Sequence, residues 1–94
     1  MRTVEGFSFR LGSTRELAGI DPTDLDRIAG LSRGHTALLE SGAKADPSSS
    51  TVAKLSSALG VSCDWLIRGT APAPTAESVR AAVAEARVRR SQAA

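Results

Sequence analysis

The sequence of 94 residues is poor in the residue types that build disulfide-bonded, metal-dependent and aromatic-rich proteins. It contains one cysteine, one histidine, one tryptophan, two phenylalanines and no tyrosine. A single cysteine excludes an internal disulfide framework and a cysteine-based metal cluster. Because aromatic residues are scarce, the core is expected to consist mainly of aliphatic side chains. A helical bundle of Ala, Leu, Val and Ile fits this composition better than a sheet, since strands favour aromatic residues.

The chain also lacks long apolar runs and the patterns of common catalytic sites. No stretch approaches the roughly 18 uncharged apolar residues of a membrane span, and residues 1–5 do not begin a signal peptide. Neither a glycine-rich phosphate loop nor a metal-ligand spacing is present. Helix capping and a solvated face explain the acidic cluster of Asp21, Asp24 and Asp26, and Cys63 begins a core-closing helix. We therefore expect a cytoplasmic protein with no catalytic residue, metal or cofactor.

The positive charge is unevenly distributed along the chain. The net charge is +2, but residues 1–46 hold six Lys and Arg against seven acids, whereas residues 47–94 hold six against three. Nucleic-acid-binding proteins usually concentrate positive charge on their docking face. The first half is therefore expected to contribute only modest affinity for DNA per subunit.

An amphipathic pattern follows Asp21 and predicts a short helix. Leu25, Ile28 and Ala29 have the i, i+3, i+4 spacing of one apolar helix face. Asp21 can cap the free N–H groups, and Pro22 is tolerated at the first helical position. The sequence thus predicts a helix that begins after Asp21.

A glycine break and a second helix come next. Gly30 predicts the end of the first helix, and Ser32 is predicted to cap a helix over residues 33–41 that stops at Gly42. Two helices joined by three residues that include glycine form a helix-turn-helix pattern. The second helix of such a pattern is sized to lie in a DNA major groove.

The remaining chain predicts helices on both sides of this pair. The prediction comprises an arm over residues 1–8, a helix from Phe9 to Ala18, a helix capped by Ser48 or Ser49 that ends at Gly60, a helix over residues 63–68, a linker over 70–74 and a C-terminal helix within 75–94. The predicted fold is therefore all-α. The narrow apolar stripe of the last helix, Val79, Ala82, Val83 and Ala86, must pack on the bundle or pair with a second chain, so this helix is a candidate dimerisation element.

Several segments carry a family resemblance in their order and spacing: Ala18-Gly19-Ile20, Ala29-Gly30-Leu31-Ser32-Arg33, Leu39-Glu40-Ser41-Gly42 and Ala58-Leu59-Gly60-Val61-Ser62. Through them, residues 19–69 resemble the Cro and phage-repressor-like helix-turn-helix proteins, also called the xenobiotic-response-element type. The resemblance implies a compact five-helix bundle, here followed by a C-terminal helix. It also implies binding to double-stranded DNA, usually as a homodimer.

The resemblance assigns the base contacts to the start of the second motif helix, at Arg33, Gly34 and Leu38. Arginine can donate two hydrogen bonds to the O6 and N7 atoms of a guanine. Gly34 and Leu38 depart from the family pattern, in which polar side chains are common at both positions. Leu38 could touch a thymine methyl group, belong to a protein-binding patch or be covered by Phe7 or Phe9.

Phosphate contacts are expected from Thr23, Ser32, His35 and Lys44, since free N–H groups at a helix start favour anions. The resemblance also implies a structural ion pair between Arg15 and Glu40. So few phosphate contacts make a dimer almost a requirement for specific binding.

Two functions from different classes follow from these residues. The first is a bacterial or phage transcription regulator, in the form of a repressor, that binds operator DNA as a homodimer. The alternative is a helix-turn-helix module that binds a protein partner, as an antirepressor does, and has little DNA specificity. Arg33 and the family resemblance favour the first function, whereas Gly34 and Leu38 favour the second.

Overall fold

A computed structural model of the protein describes residues 6–42, 47–70 and 72–92. Within these ranges the chain forms six helices and no strand: α1 Phe7–Ala18, α2 Pro22–Ala29, α3 His35–Glu40, α4 Ser49–Leu59, α5 Cys63–Arg68 and α6 Ala76–Gln92. The all-α fold predicted from the sequence is confirmed.

Local hydroxyl caps set the starts of the last three helices. The Ser48 Oγ accepts a hydrogen bond from the Thr51 N–H at 3.1 Å, and the Ser62 Oγ accepts one from the Trp65 N–H at 2.9 Å. Thr75 and Ser78 exchange hydrogen bonds between side chain and backbone in both directions, as in a capping box. The predicted starts are confirmed. They could be predicted because each capping residue lies next to its own helix.

The first helix begins two residues earlier than the predicted start at Phe9. Phe7 is only 2% exposed and belongs to the core, whereas Phe9 is 76% exposed. Burial of a phenylalanine ring stabilises a fold by about 2–3 kcal/mol, and the extra residues of α1 carry Phe7 into that position. The predicted arm over residues 1–8 therefore loses its last two residues to α1, and its first five lie outside the described residues.

One hydrophobic cluster holds the helices together. Its fully buried side chains come from all six: Leu11, Leu25, Leu39, Leu55, Leu59, Leu66 and Val79. Polar contacts close the bundle between α1 and α5. The Arg10 guanidinium donates to the carbonyls of Leu66 and Ile67 at 3.0 and 2.6 Å, and the Trp65 Nε1 donates to the Thr14 Oγ1 at 3.1 Å.

The C-terminal helix packs on the same bundle, against α1, α4 and α2. Val79, Val83 and Ala86 are 0%, 4% and 2% exposed, so most of the predicted apolar stripe is buried within the chain itself. The approach to α4 is close, because a methyl group at Gly60 would overlap the Ala82 methyl group. α6 is therefore part of the core rather than an appendage to it.

Candidate nucleic-acid interface

The first helix of the motif is organised as its sequence predicts. The Asp21 carboxylate caps α2 by accepting the Asp24 N–H at 2.8 Å, while Leu25 and Ile28 point into the core. The helix ends at Gly30, whose φ is 77°, and the Leu31 N–H then donates to the Asp26 carbonyl at 2.8 Å. This bond turns the chain sharply away from α2.

The start of α3 differs from the prediction. α3 begins at His35, not at residue 33, and its N-cap is Gly34, not Ser32. The buried Asp26 carboxylate, which comes from α2, accepts the N–H groups of Gly34 and Thr36 at 2.8 Å each. An ionised acceptor forms stronger hydrogen bonds than a hydroxyl, so the carboxylate displaces the predicted serine cap.

Gly34 has a backbone conformation that explains its glycine. Its φ is 88°, in the left-handed region that L-residues with a Cβ rarely adopt. Apart from Gly34 and its two chain neighbours, no described residue has an atom within 4 Å of the position that a Cβ would occupy. The backbone at the tip of the turn is therefore open to an approaching surface.

The three predicted base-contacting residues are all exposed to solvent. Arg33 and Gly34 are exposed in the turn before α3, and Leu38 is 47% exposed on the helix. Leu38 thus keeps about half of its surface exposed. Thr36 and Leu39 are fully buried on the opposite face.

The predicted phosphate-contacting residues are placed less uniformly. Thr23 and Ser32 are exposed and His35 is half-buried, while Lys44 lies outside the described residues. Thr23 and Arg33 line one surface cavity of about 290 Å³ together with Asp26, Arg27 and Leu31. The structure thus brings the start of α2 and the turn before α3 to one surface.

Comparison of the chain with the sequence profiles of known families identifies its family. The sequence profile of the helix-turn-helix family, of the Cro and repressor-like type, matches residues 11–66. The chain belongs to this family. No curated protein and no solved structure shows a match to the chain. The helix-turn-helix family is one of DNA-binding regulators and is not typically enzymatic.

Within this helix-turn-helix domain, Arg15 joins α1 to the end of α3. Its Nε and Nη2 donate to the two Glu40 carboxylate oxygens at 2.7 and 3.0 Å, and its Nη1 donates to the Ile20 carbonyl at 2.7 Å. The hydrogen bond to Glu40 raises the pKa of the Arg15 guanidinium above its usual value. The side chains are 13% and 17% exposed, so loss of either partner would leave a poorly compensated charge.

Sequence reasoning missed the role of Asp26. It assigned the residue to a solvated acidic face, but the side chain is 3% exposed and caps α3. The available signal was its position one helical turn before Gly30, which places a carboxylate on the edge of α2 that faces the turn. Its partners, eight and ten residues later, could not be inferred from local sequence.

Three further properties concern membrane spans, metal ligands and a buried hydroxyl group. Across the described ranges, none of the helices combines the length and apolar character of a membrane span. In the same ranges, no group of three or more His, Cys, Asp or Glu side chains is arranged to hold a metal ion. The Thr36 Oγ1 is buried and has no hydrogen-bond partner among the described residues.

Proposed function

We propose that this protein is a sequence-specific transcription regulator, in the form of a repressor, of bacterial or phage origin. It binds operator DNA as a homodimer in the cytoplasm and has no catalytic activity. The observation that carries the proposal is the open edge before α3, where the exposed Arg33 adjoins the uncovered backbone of Gly34. In helix-turn-helix proteins, the start of the second helix contacts base edges in the major groove, and an exposed helix start is able to do so.

Each residue of this edge has a distinct role in the proposed complex. Arg33 donates to the O6 and N7 atoms of a guanine, and Leu38 contacts a thymine methyl group. Gly34 lets the backbone approach the bases because it has no side chain. Thr23, Ser32 and His35 contact phosphates beside the groove, and Lys44, outside the described residues, remains a predicted phosphate contact.

The proposed dimer uses the outer face of α6, which the bundle leaves uncovered. Ala81, Ala84 and Val88 line a shallow groove of about 410 Å³ there, and Val88 is 54% exposed. A two-fold axis through this face would let two identical helices cover each other. It would also double the few phosphate contacts of one subunit, which specific binding requires.

Selection from a pool of random DNA duplexes tests the proposal. The full chain should enrich a two-fold symmetric site with half-sites about 34 Å apart, one helical turn. Arg33→Ala should weaken binding to that site by roughly 10-fold to 100-fold and relax the preference at one base pair per half-site, since a bidentate contact is worth about 1–3 kcal/mol.

Arg68→Ala is the matched control, because Arg68 is an exposed arginine on α5. It removes the same charge but should leave the preferred sequence unchanged. Absence of an enriched site for the wild-type protein would overturn the proposal. Equal behaviour of the two arginine variants would overturn the role of Arg33.

The exposure of Leu38 favours a second candidate, a module that binds a protein partner through the outer face of α3. That face carries an apolar side chain that is 47% exposed and, at Gly34, no side chain. This candidate predicts weak, sequence-independent binding to duplexes. It also predicts that Leu38→Asp abolishes pull-down of the partner and leaves the weak DNA binding unchanged.

A further inference from the structure

Arginines from distant parts of the sequence meet beside the helix-turn-helix motif. Arg27 of α2 and Arg87 and Arg90 of α6 line one surface cavity of about 410 Å³, together with Ile28 and Ser91. These arginines lie close together because the last turns of α6 pack against α2. The fold therefore adds charge from the basic half of the sequence to the half that carries the motif.

Among the described residues, a single carboxylate forms ion pairs with any of these three guanidinium groups. The Asp24 Oδ1 lies 3.1 Å from the Arg27 Nη1, and the Asp24 Oδ2 lies 3.9 Å from the Arg87 Nη2. Arg90 forms no ion pair within the described part of the chain, and its Nη1 lies 3.4 Å from the position of a Cβ on Gly30. The cluster thus keeps a net positive charge on an exposed surface.

The cluster is continuous with the proposed DNA-contacting edge. Arg27 also lines the cavity of about 290 Å³ that contains Thr23 and Arg33. On the other side, Arg90 also lines a cavity of about 390 Å³ that contains Lys54 and Arg89. A basic band therefore runs from the turn before α3 along α2 to the end of α6, formed by Arg27, Arg33, Lys54, Arg87, Arg89 and Arg90.

We propose that this basic band binds the phosphate backbone of DNA beyond the major-groove segment that α3 occupies. The inference rests on the proposed function and adds α6 to the DNA-contacting elements. Guanidinium groups bind phosphates by two parallel hydrogen bonds, and a row of them can follow a strand. In this arrangement Asp24 competes with phosphate for Arg27 and Arg87, so it limits the affinity.

The salt dependence of DNA binding tests the band, because each neutralised phosphate adds about 0.9 to the slope of log K against log salt concentration. Fluorescence anisotropy on a mixed-sequence duplex of about 30 base pairs, three helical turns, would measure this slope for the full chain. The double variant Arg87→Gln/Arg90→Gln should lower the slope by about 1.8.

A matched control removes the same charge elsewhere. Arg68→Gln/Arg80→Gln replaces two exposed arginines of α5 and α6 that do not belong to the band. Its slope should stay close to the wild-type value. A band variant with the slope of this control would overturn the inference while the wild-type protein still binds DNA, so the proposed function would stand. A wild-type protein that binds no duplex would overturn both.

A variant with the opposite expected sign separates DNA contact from damage to α6. Asp24→Asn removes the competing carboxylate and frees both arginines, so it should tighten binding and steepen the slope by about 1. Damage to the fold would weaken binding instead. Unchanged or weaker DNA binding by Asp24→Asn would contradict the inference.

Discussion

Two turns of this protein have nearly the same sequence but lead into their helices differently. Gly30-Leu31-Ser32 follows α2, and Gly60-Val61-Ser62 follows α4. In the second turn the helix begins immediately after Ser62, which caps it. In the first turn the helix begins three residues after Ser32, behind a different cap. The local motif alone therefore does not determine where the next helix starts.

The difference lies one helical turn upstream, four residues before each glycine. Asp26 occupies this position in the first turn, and its carboxylate binds the N–H groups of Gly34 and Thr36. Ser56 occupies it in the second turn, and its hydroxyl donates to the Val61 carbonyl. One carboxylate thus delays α3 and leaves Arg33 in the exposed turn, where the proposed function needs it.

Replacement of Asp26 by serine, the residue at the equivalent position of the second turn, is expected to have the largest effect on stability. Asp26→Ser should lower the free energy of unfolding by about 3 kcal/mol, because two hydrogen bonds to a buried ionised acceptor are lost. Urea unfolding of the full chain would measure it.

The exposed Asp64→Ser, near the start of α5, is the control, with an expected loss of about 0.5 kcal/mol. If Asp26→Ser cost as little as this control, the carboxylate would not be what holds the start of α3.

A side chain at Gly34 should have the next largest effect. Gly34→Ala should lower the free energy of unfolding by about 1–2 kcal/mol, because the left-handed backbone disfavours a Cβ. The space around the site is open, so the cost is conformational. Gly34→Asn should cost less in the same urea measurement, since asparagine tolerates this conformation. Equal losses for the two variants would argue against a conformational cause.

Substitutions of the turn serines, Ser32 and Ser62, are expected to have the smallest effects on stability. Ser62→Ala should lower the free energy of unfolding by about 1 kcal/mol, as is typical of a lost N-cap. Ser32→Ala should change it by about 0, within roughly 0.5 kcal/mol, because the Ser32 side chain does not cap α3. It should still weaken DNA binding through the proposed phosphate contact. Equal destabilisation by both variants would mean that Ser32 caps α3 in solution.

The features that the sequence could predict are those in which cause and effect lie within one helical turn. The spacing of Leu25 and Ile28 predicts the buried face of α2, and Ser48 and Ser62 predict the starts of their own helices. This reasoning failed for Asp26 because its partners lie eight and ten residues away and are reached only after the chain has turned.

The candidate site was only partly accessible from the sequence for a related reason. The position of Arg33 followed from the motif, but its place in a turn rather than a helix depends on Asp26. The charge count by sequence halves suggested that the half carrying the motif is not basic. It could not show that α6 places Arg87 and Arg90 beside α2. Such an arrangement depends on packing between residues about 60 positions apart in the chain.

The packing of α6 has a practical consequence for protein engineering. A fragment cut to residues 11–66, the span of the family match, would lose Val79, Val83 and Ala86 from its core. The apolar surface exposed in this way would make the fragments associate or aggregate. Any oligomer measured for such a fragment would be an artefact of the truncation. A fragment suitable for expression should therefore extend at least through Ala86, the last buried residue of α6.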